Sequence, residues 1–258
     1  MFYPVIDSHI HLLDYKEEDR TQILEELEMY QVQQLISISN NLKGAKENIS
    51  LSSEKRRVKP VVGFHPEQQI EKDSLVEDIL SFIEKKQHHL VAIGEIGLPY
   101  YLRKENPELS LQPYINLLEA FIKQASNLKK PVVLHAIYED APIVCELLEK
   151  YTIKKAHFHW FKGDKQTIAR IIRNGYYVSV TPDIMYKERA RKLVEKMPID
   201  QLMVETDGPW PFEGLYEGKL THPKMLHNSI KVIAKIKQIP LTVAYNVIYE
   251  NTKHFYNL

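Results

Sequence analysis

The sequence predicts an α/β chain closed into a (β/α)8 barrel, on three observations. Short β-rich runs alternate with longer amphipathic ones, polar residues stand at nearly every predicted strand end, and the 258 residues sit near the ~250 usual for such a barrel. The runs that read as strands are 3–9, 34–39, 60–65, 91–96, 131–135, 156–160, 175–180 and 202–205. Between them apolar side chains recur three and four apart, as in Ile23, Leu24 and Leu27, in Leu117, Leu118 and Phe121, and in Ile168, Ile171 and Ile172, which is the helical period. Lys59-Pro60 and Lys130-Pro131 punctuate the entry to two strands, because the residue before proline leaves the helical region. Strict alternation implies a parallel sheet. An open doubly wound sheet competes, but it gives no reason for polar residues at so many strand ends. No repeat, low-complexity tract or linker divides the chain, so residues 1–258 read as one domain. After the eighth strand comes an extended aromatic segment, 208–223, and then two helices, near 224–237 and 241–255.

Composition bounds the function. The hydrophobic share of 44% and charged share of 26% are those of a folded soluble protein. Lys+Arg and Asp+Glu each total 34. An extended nucleic-acid surface would show a basic excess, so none is expected, whereas a small-molecule or DNA-end substrate remains compatible. Cys145 is the one cysteine, which leaves no disulfide framework and fits a reducing compartment. Its setting reads as the buried face of a helix. No basic stretch precedes an apolar run at the N-terminus, and no apolar run approaches the ~18 residues of a membrane span. A cytoplasmic protein with no membrane association is expected.

The chemistry gathers at strand ends. Of 11 histidines, His9, His11, His65, His135, His157 and His159 fall at or beside them, and a barrel brings all such ends to one face. His9 and His11, two apart, point the same way on a strand and can share one ion. Asp7 stands on that face as a residue supporting the ligands from behind. Glu95, in Gly94-Glu95-Ile96-Gly97, is a carboxylate in an apolar strand, which is costly unless paired or bound to metal. Its two oxygens can bridge two ions, and the flanking glycines permit close backbone approach. His135 and His159 each end an apolar strand. His157 shares a face with His159, and spacing alone does not choose between them as ligand. Asp207, at the eighth strand's end, can bind metal with one oxygen and take a proton from water with the other; an Asp before a turn also caps helices. Glu205 points the same way but deeper, as a supporting residue.

Together these residues resemble the TatD family of metal-dependent hydrolases. The matching stretches are DSHIH at 7–11, GFHP at 63–66, GEIGL at 94–98, LH at 134–135, HWFKG at 159–163 and ETDGP at 205–209. A last match is Glu250-Asn251-Thr252 with Phe255. The resemblance spans the chain in order and implies a barrel of the metal-dependent hydrolase type. It further implies two divalent ions (Zn, Mn, Mg or Fe), one on His9 and His11, the other on His135 and His159, bridged by Glu95 with Asp207 positioning the water. It selects His159 over His157 as the ligand, and it sets His65 on the substrate side. The departures lie beside this set. Pro99 stands where an Asp is common, Ala136-Ile137 where Ser-Arg is usual, Lys162 where a small residue is expected, and Thr221-His222-Pro223-Lys224 where an Arg-Asn-Glu-Pro-like stretch is typical.

The leading expectation is phosphodiester hydrolysis of the kind shown by the family's DNA-trimming nucleases. Arg103 and Lys104, in the loop after the fourth strand, are candidates for phosphate contact or equally for solvated loop charges, and Trp210, Phe212 and Tyr216 are candidates for stacking on a base or for packing the long loop. A second expectation keeps the metals and changes the substrate to a small amide, lactone or ester. A third is a barrel that binds metal or a partner without catalysis.

Overall fold

The computed structural model describes residues 3–70 and 73–258. Eight parallel strands follow one another in sheet order: β1 (Val5–Ile10), β2 (Val32–Ser39), β3 (Val58–Val62), β4 (Ala92–Gly97), β5 (Val132–His135), β6 (Ala156–Phe158), β7 (Tyr177–Val180) and β8 (Leu202–Val204). Each strand stacks on the next in parallel register, Ile36 on Lys59 and Val178 on Leu202 for example. The helices between them are α1 (Glu17–Glu26), α2 (Leu42–Glu54), α3 (Asp73–Lys86), α4 (Tyr100–Glu105), α5 (Gln112–Leu128), α6 (Asp140–Lys150), α7 (Lys165–Arg173) and α8 (Glu188–Lys196). After β8 come α9 (Leu226–Lys237) and α10 (Leu241–Tyr256). No described helix is long and apolar enough to cross a membrane.

The barrel closes through the segments that carry the strand-end residues. Asp207 N donates to His9 O at 3.0 Å and His11 N donates to Gly208 O at 2.8 Å. The Asp7 carboxylate adds two bonds, accepting from Thr206 N at 2.9 Å and from Thr206 Oγ1 at 2.5 Å. Asp7 therefore ties β1 to the end of β8 and bonds to no imidazole; burial pushes its carboxyl up to about 8.

Two apolar layers hold the sheet. The outer one packs strands on helices, and the thiol of Cys145 is buried in it on α6. The inner one comprises Ile6, Ile36, Ile38, Val61, Ala92, Val133 and Met203, capped by Phe255 and Tyr256 of α10. The C-terminal helix thus plugs the barrel floor, and the polar side chains form the storey above it. Asn251 fastens that plug by donating to the carbonyls of Ile199 and Leu202.

Three expectations are corrected here. Pro60 lies inside β3, which begins at Val58, not at the strand's entry. Arg103 and Lys104 sit on α4, not in a loop. Six residues give little periodicity, and the first turn of α4 is capped from afar: Glu67 accepts from Tyr101 N and Leu102 N. Phe212 and Tyr216 of the 208–223 segment are buried with Met225 and pack that loop, while Trp210 stays 56% exposed.

Candidate metal centre

Irregular pairing marks the places where the strands present their polar groups. The β1–β2 register shifts between Asp7 and Ile10, and the β4–β5 register shifts between Ile93 and Ile96; such irregularities re-aim side chains. Gly97 pairs with His135 across β4–β5. A Cβ there would lie 1.9 Å from the His135 carbonyl oxygen, so only glycine lets these strands approach closely enough to set Glu95 against His135.

Glu95 stands at the centre, fully buried, and its two oxygens face different partners. On the Oε2 side, His9 Nε2 and His11 Nε2 lie 3.2 Å apart. Oε2 is 3.2 Å from the first and 3.4 Å from the second, and Asp207 Oδ1 is 3.4 and 3.5 Å from them. Edges of this length belong to a tetrahedron whose centre lies about 2.0–2.1 Å from each corner, the zinc–nitrogen and zinc–oxygen range. On the Oε1 side, His159 Nε2 stands at 2.7 Å and His135 Nδ1 at 2.9 Å, and these nitrogens are 3.4 Å apart.

Charge and hydrogen bonding point the same way. Burial alone would raise the Glu95 carboxyl, but the imidazoles of His159, His65 and His9 outweigh it and hold it well below the usual range. Burial would lower His159 and His11; the carboxylates outweigh it, raising His159 well above its ordinary value and His11 to about 10. Asp207 is lowered, as His11 and His159 offset its burial. The cluster thus demands positive charge, which protons or cations can supply. Among the described residues, buried Glu95 Oε2 has no hydrogen-bond partner and faces the Nε2 atoms of His9 and His11. Donor atoms of this type in this arrangement fit a divalent cation. Three groups can hold an ion: His9, His159 and Asp207; His9, His11 and Glu95; His65, Glu95 and His135.

His65, His157, Glu205 and Arg103 take distinct places. His65 Nδ1 accepts from Glu67 N at 3.2 Å, so its proton sits on Nε2, 3.6 Å from Glu95 Oε1; burial lowers its pKa to about 4 and keeps the ring neutral. Both nitrogens of His157 are occupied, Nδ1 by Tyr256 Oη at 2.8 Å and Nε2 by Ser179 Oγ at 2.6 Å. His157 on β6 is thus engaged on both sides, whereas His159, just past the strand's end, turns Nε2 to Glu95. Glu205 Oε1 lies 3.7 Å from His159 Nδ1 and accepts from Trp160 N at 2.6 Å. Trp160 has φ +36, a strained value for a bulky residue, and Glu205 with Asp183, which accepts from Trp160 Nε1 at 2.9 Å, holds it there. Arg103 does not line the cavity above Glu95; its guanidinium meets the buried Asp140 at 2.5 Å, joining α4 to α6.

That cavity, of about 740 Å³, is lined by His11, His65, His135, His159 and Asp207 together with Tyr101, Ile137, Trp160, Lys162 and Trp210. Sequence reasoning passed over Glu67, whose Oε1 lies 3.0 Å from His135 Nε2. It follows His65 and Pro66 directly, and a carboxylate two residues from a candidate histidine was the signal available. Ala136 and Ile137 are buried, and Pro99 precedes α4 without a side-chain capping bond.

The family model described as TatD related DNase matches residues 6–257. The chain belongs to the TatD family. A Haemophilus influenzae protein named as an uncharacterized metal-dependent hydrolase is 34% identical over 255 residues, covering 98% of this chain and 100% of that one. Human deoxyribonuclease TATDN3 is 27% identical over 258 residues, covering 96% of this chain and 92% of its own. Among solved structures, the TatD homolog YJJV of Escherichia coli superposes with a TM-score of 0.86 at 22% identity, covering 100% of both chains; at that identity it speaks for the fold. TatD relatives bearing the name metal-dependent hydrolase extend to Methanocaldococcus jannaschii, at 27% identity over 252 residues that cover 97% of this chain and 96% of that one.

Proposed function

We propose that this TatD protein is a two-metal phosphodiesterase that cleaves at DNA ends. One observation carries the reading: Glu95 presents separate oxygens to two donor sets, His9, His11 and Asp207 on one side and His135 and His159 on the other. A carboxylate so placed suits two adjacent cations. Such a pair lowers the pKa of water and stabilises the entering and leaving oxygens of an in-line displacement. The name of the human relative, a deoxyribonuclease, supports the substrate class.

The chain's own residues supply the rest. Asp207 faces the imidazoles with Oδ1 and offers Oδ2 to the proton of the attacking water. Glu67 holds the far nitrogen of His135, and Glu205 stands behind His159, both orienting rings toward the centre. His65 presents its Nε2 proton to a substrate oxygen. Trp210, exposed at the mouth, offers a face for a terminal base.

Single-stranded DNA and a panel of small esters, lactones and amides, assayed side by side with manganese and with zinc, test this reading. Shortening of DNA from an end is the expected result. Turnover of a small ester with DNA left intact would overturn it in favour of the second expectation.

Metal uptake follows from the titrations. His11 is raised to about 10 and His159 well above its ordinary value by their carboxylate partners, and His135 is raised by its bonds to Glu67 and Glu95, so His11 and His159 hold protons at neutral pH when no cation is bound. Cations must displace those protons. Affinity therefore strengthens as pH rises from neutrality toward the His11 value of about 10. Titration calorimetry at pH 7 in buffers of different ionisation enthalpy should show net proton release. Uptake without release would contradict the charge assignment.

A further inference from the structure

Lys162 is the one lysine or arginine lining the cavity among the described residues. It is 8% exposed, yet no described carboxylate oxygen lies within 4.0 Å of its ammonium. Its Nζ hydrogen-bonds to Tyr101 Oη at 2.9 Å and sits 4.2 Å from the centre of the Trp160 ring. Both partners also line the cavity. Asp183 and Asp207 act on the ammonium only from beyond ion-pair distance, and a phenol and an indole face return only part of the cost of burying it. A ligand with a negative charge would complete the site. The carboxylates and imidazoles around Glu95 already account for one anion bound through cations. Lys162 lines the same cavity from the segment between β6 and α7 and makes no ion pair with them.

Lys162 also lines a second cavity of about 320 Å³ that opens beside the first, with Arg189, Lys192, Lys196 and Glu188 around it. Lys192 is paired with Glu188 at 2.7 Å, and Arg189 lies 3.4 Å from Asp183. Cationic groups therefore continue outward from Lys162, some of them partly neutralised, and Lys162 is the member that faces both spaces.

We propose that Lys162 binds a second phosphate of the substrate, distinct from the one held at Glu95, and so selects substrates with two neighbouring phosphates. This rests on the phosphodiester reading and deepens it. The Trp160 ring under the ammonium and the Tyr101 hydroxyl beside it hold the cation in place, leaving its outer face for phosphate oxygens. A charge-assisted hydrogen bond of this kind is worth about tenfold or more in affinity.

The test measures binding of thymidine 5′-monophosphate and thymidine 3′,5′-bisphosphate to the metal-loaded protein. The readout is the fluorescence of its two tryptophans, Trp160 and Trp210, which both line the cavity. The bisphosphate should bind about tenfold tighter. Lys162→Met, which keeps the length of the side chain, should remove that advantage, and Lys162→Arg should keep most of it. Equal affinities in the unmodified protein, or an advantage that survives in Lys162→Met, would overturn the proposal. A purely structural lysine would weaken both ligands in parallel and leave their ratio alone. Failure of the phosphodiesterase reading has a different signature: no DNA shortened, with the bisphosphate advantage and its dependence on Lys162 intact.

Discussion

Replacing Glu95 by glutamine is expected to lower turnover by on the order of 10³-fold or more and, with the proposed pair of cations, to cost the protein at least one of them. The carboxylate meets both donor sets with separate oxygens, His9 and His11 through Oε2 and His135 and His159 through Oε1. An amide has one oxygen to give. Its NH2 would face a cation on the other side, and the negative charge between the two cations would be gone. Glutamine matches glutamate in volume, so the packing against β5 that Gly97 permits should survive. Metal content by elemental analysis, turnover and a thermal melt separate the effects. Turnover within tenfold of the parent with two ions bound would show that Glu95 does not bridge.

Asp207→Asn should act differently. The amide oxygen can replace Oδ1 beside His9 and His11, so metal content should stay close to that of the parent. The basic oxygen is lost, and a positioned general base contributes about 10²–10⁴-fold. The expected result is a fall of that size in kcat with KM little changed. The fold should hold, because the bonds that close the barrel here are made by the backbone of residue 207, through its N–H to His9 O. A parent-like kcat would remove Asp207 from the base role. Loss of metal in step with activity would make it a ligand only.

Much of this arrangement was legible in the sequence, for a physical reason. A parallel barrel delivers every strand's C-terminal end to one face, so alternation brings the ends that carry His9, Glu95, His135, His157, His159 and Asp207 together, and the family resemblance chose among them. Regular period did not specify how β1 and β4 turn their side chains inward, since both strands pair irregularly at those positions. Contacts between residues far apart in the chain were hidden. Glu67 caps α4 and meets His135 across 68 positions, and Arg103 reads as a free loop cation until α4 brings it to Asp140. His157 and His159 share a strand face, and only the positions of Tyr256 and Ser179 around the former distinguish them. Lys162 was visible as a departure from the family pattern, whereas its burial between Tyr101 and Trp160 required the fold.

The central claim is that two cations share Glu95. Anomalous diffraction from crystals grown with manganese or zinc tests it most directly. Two peaks are expected, one on each side of that carboxylate, the first against His9, His11 and Asp207 and the second against His135 and His159. A single peak, or ions bound away from Glu95, would contradict it.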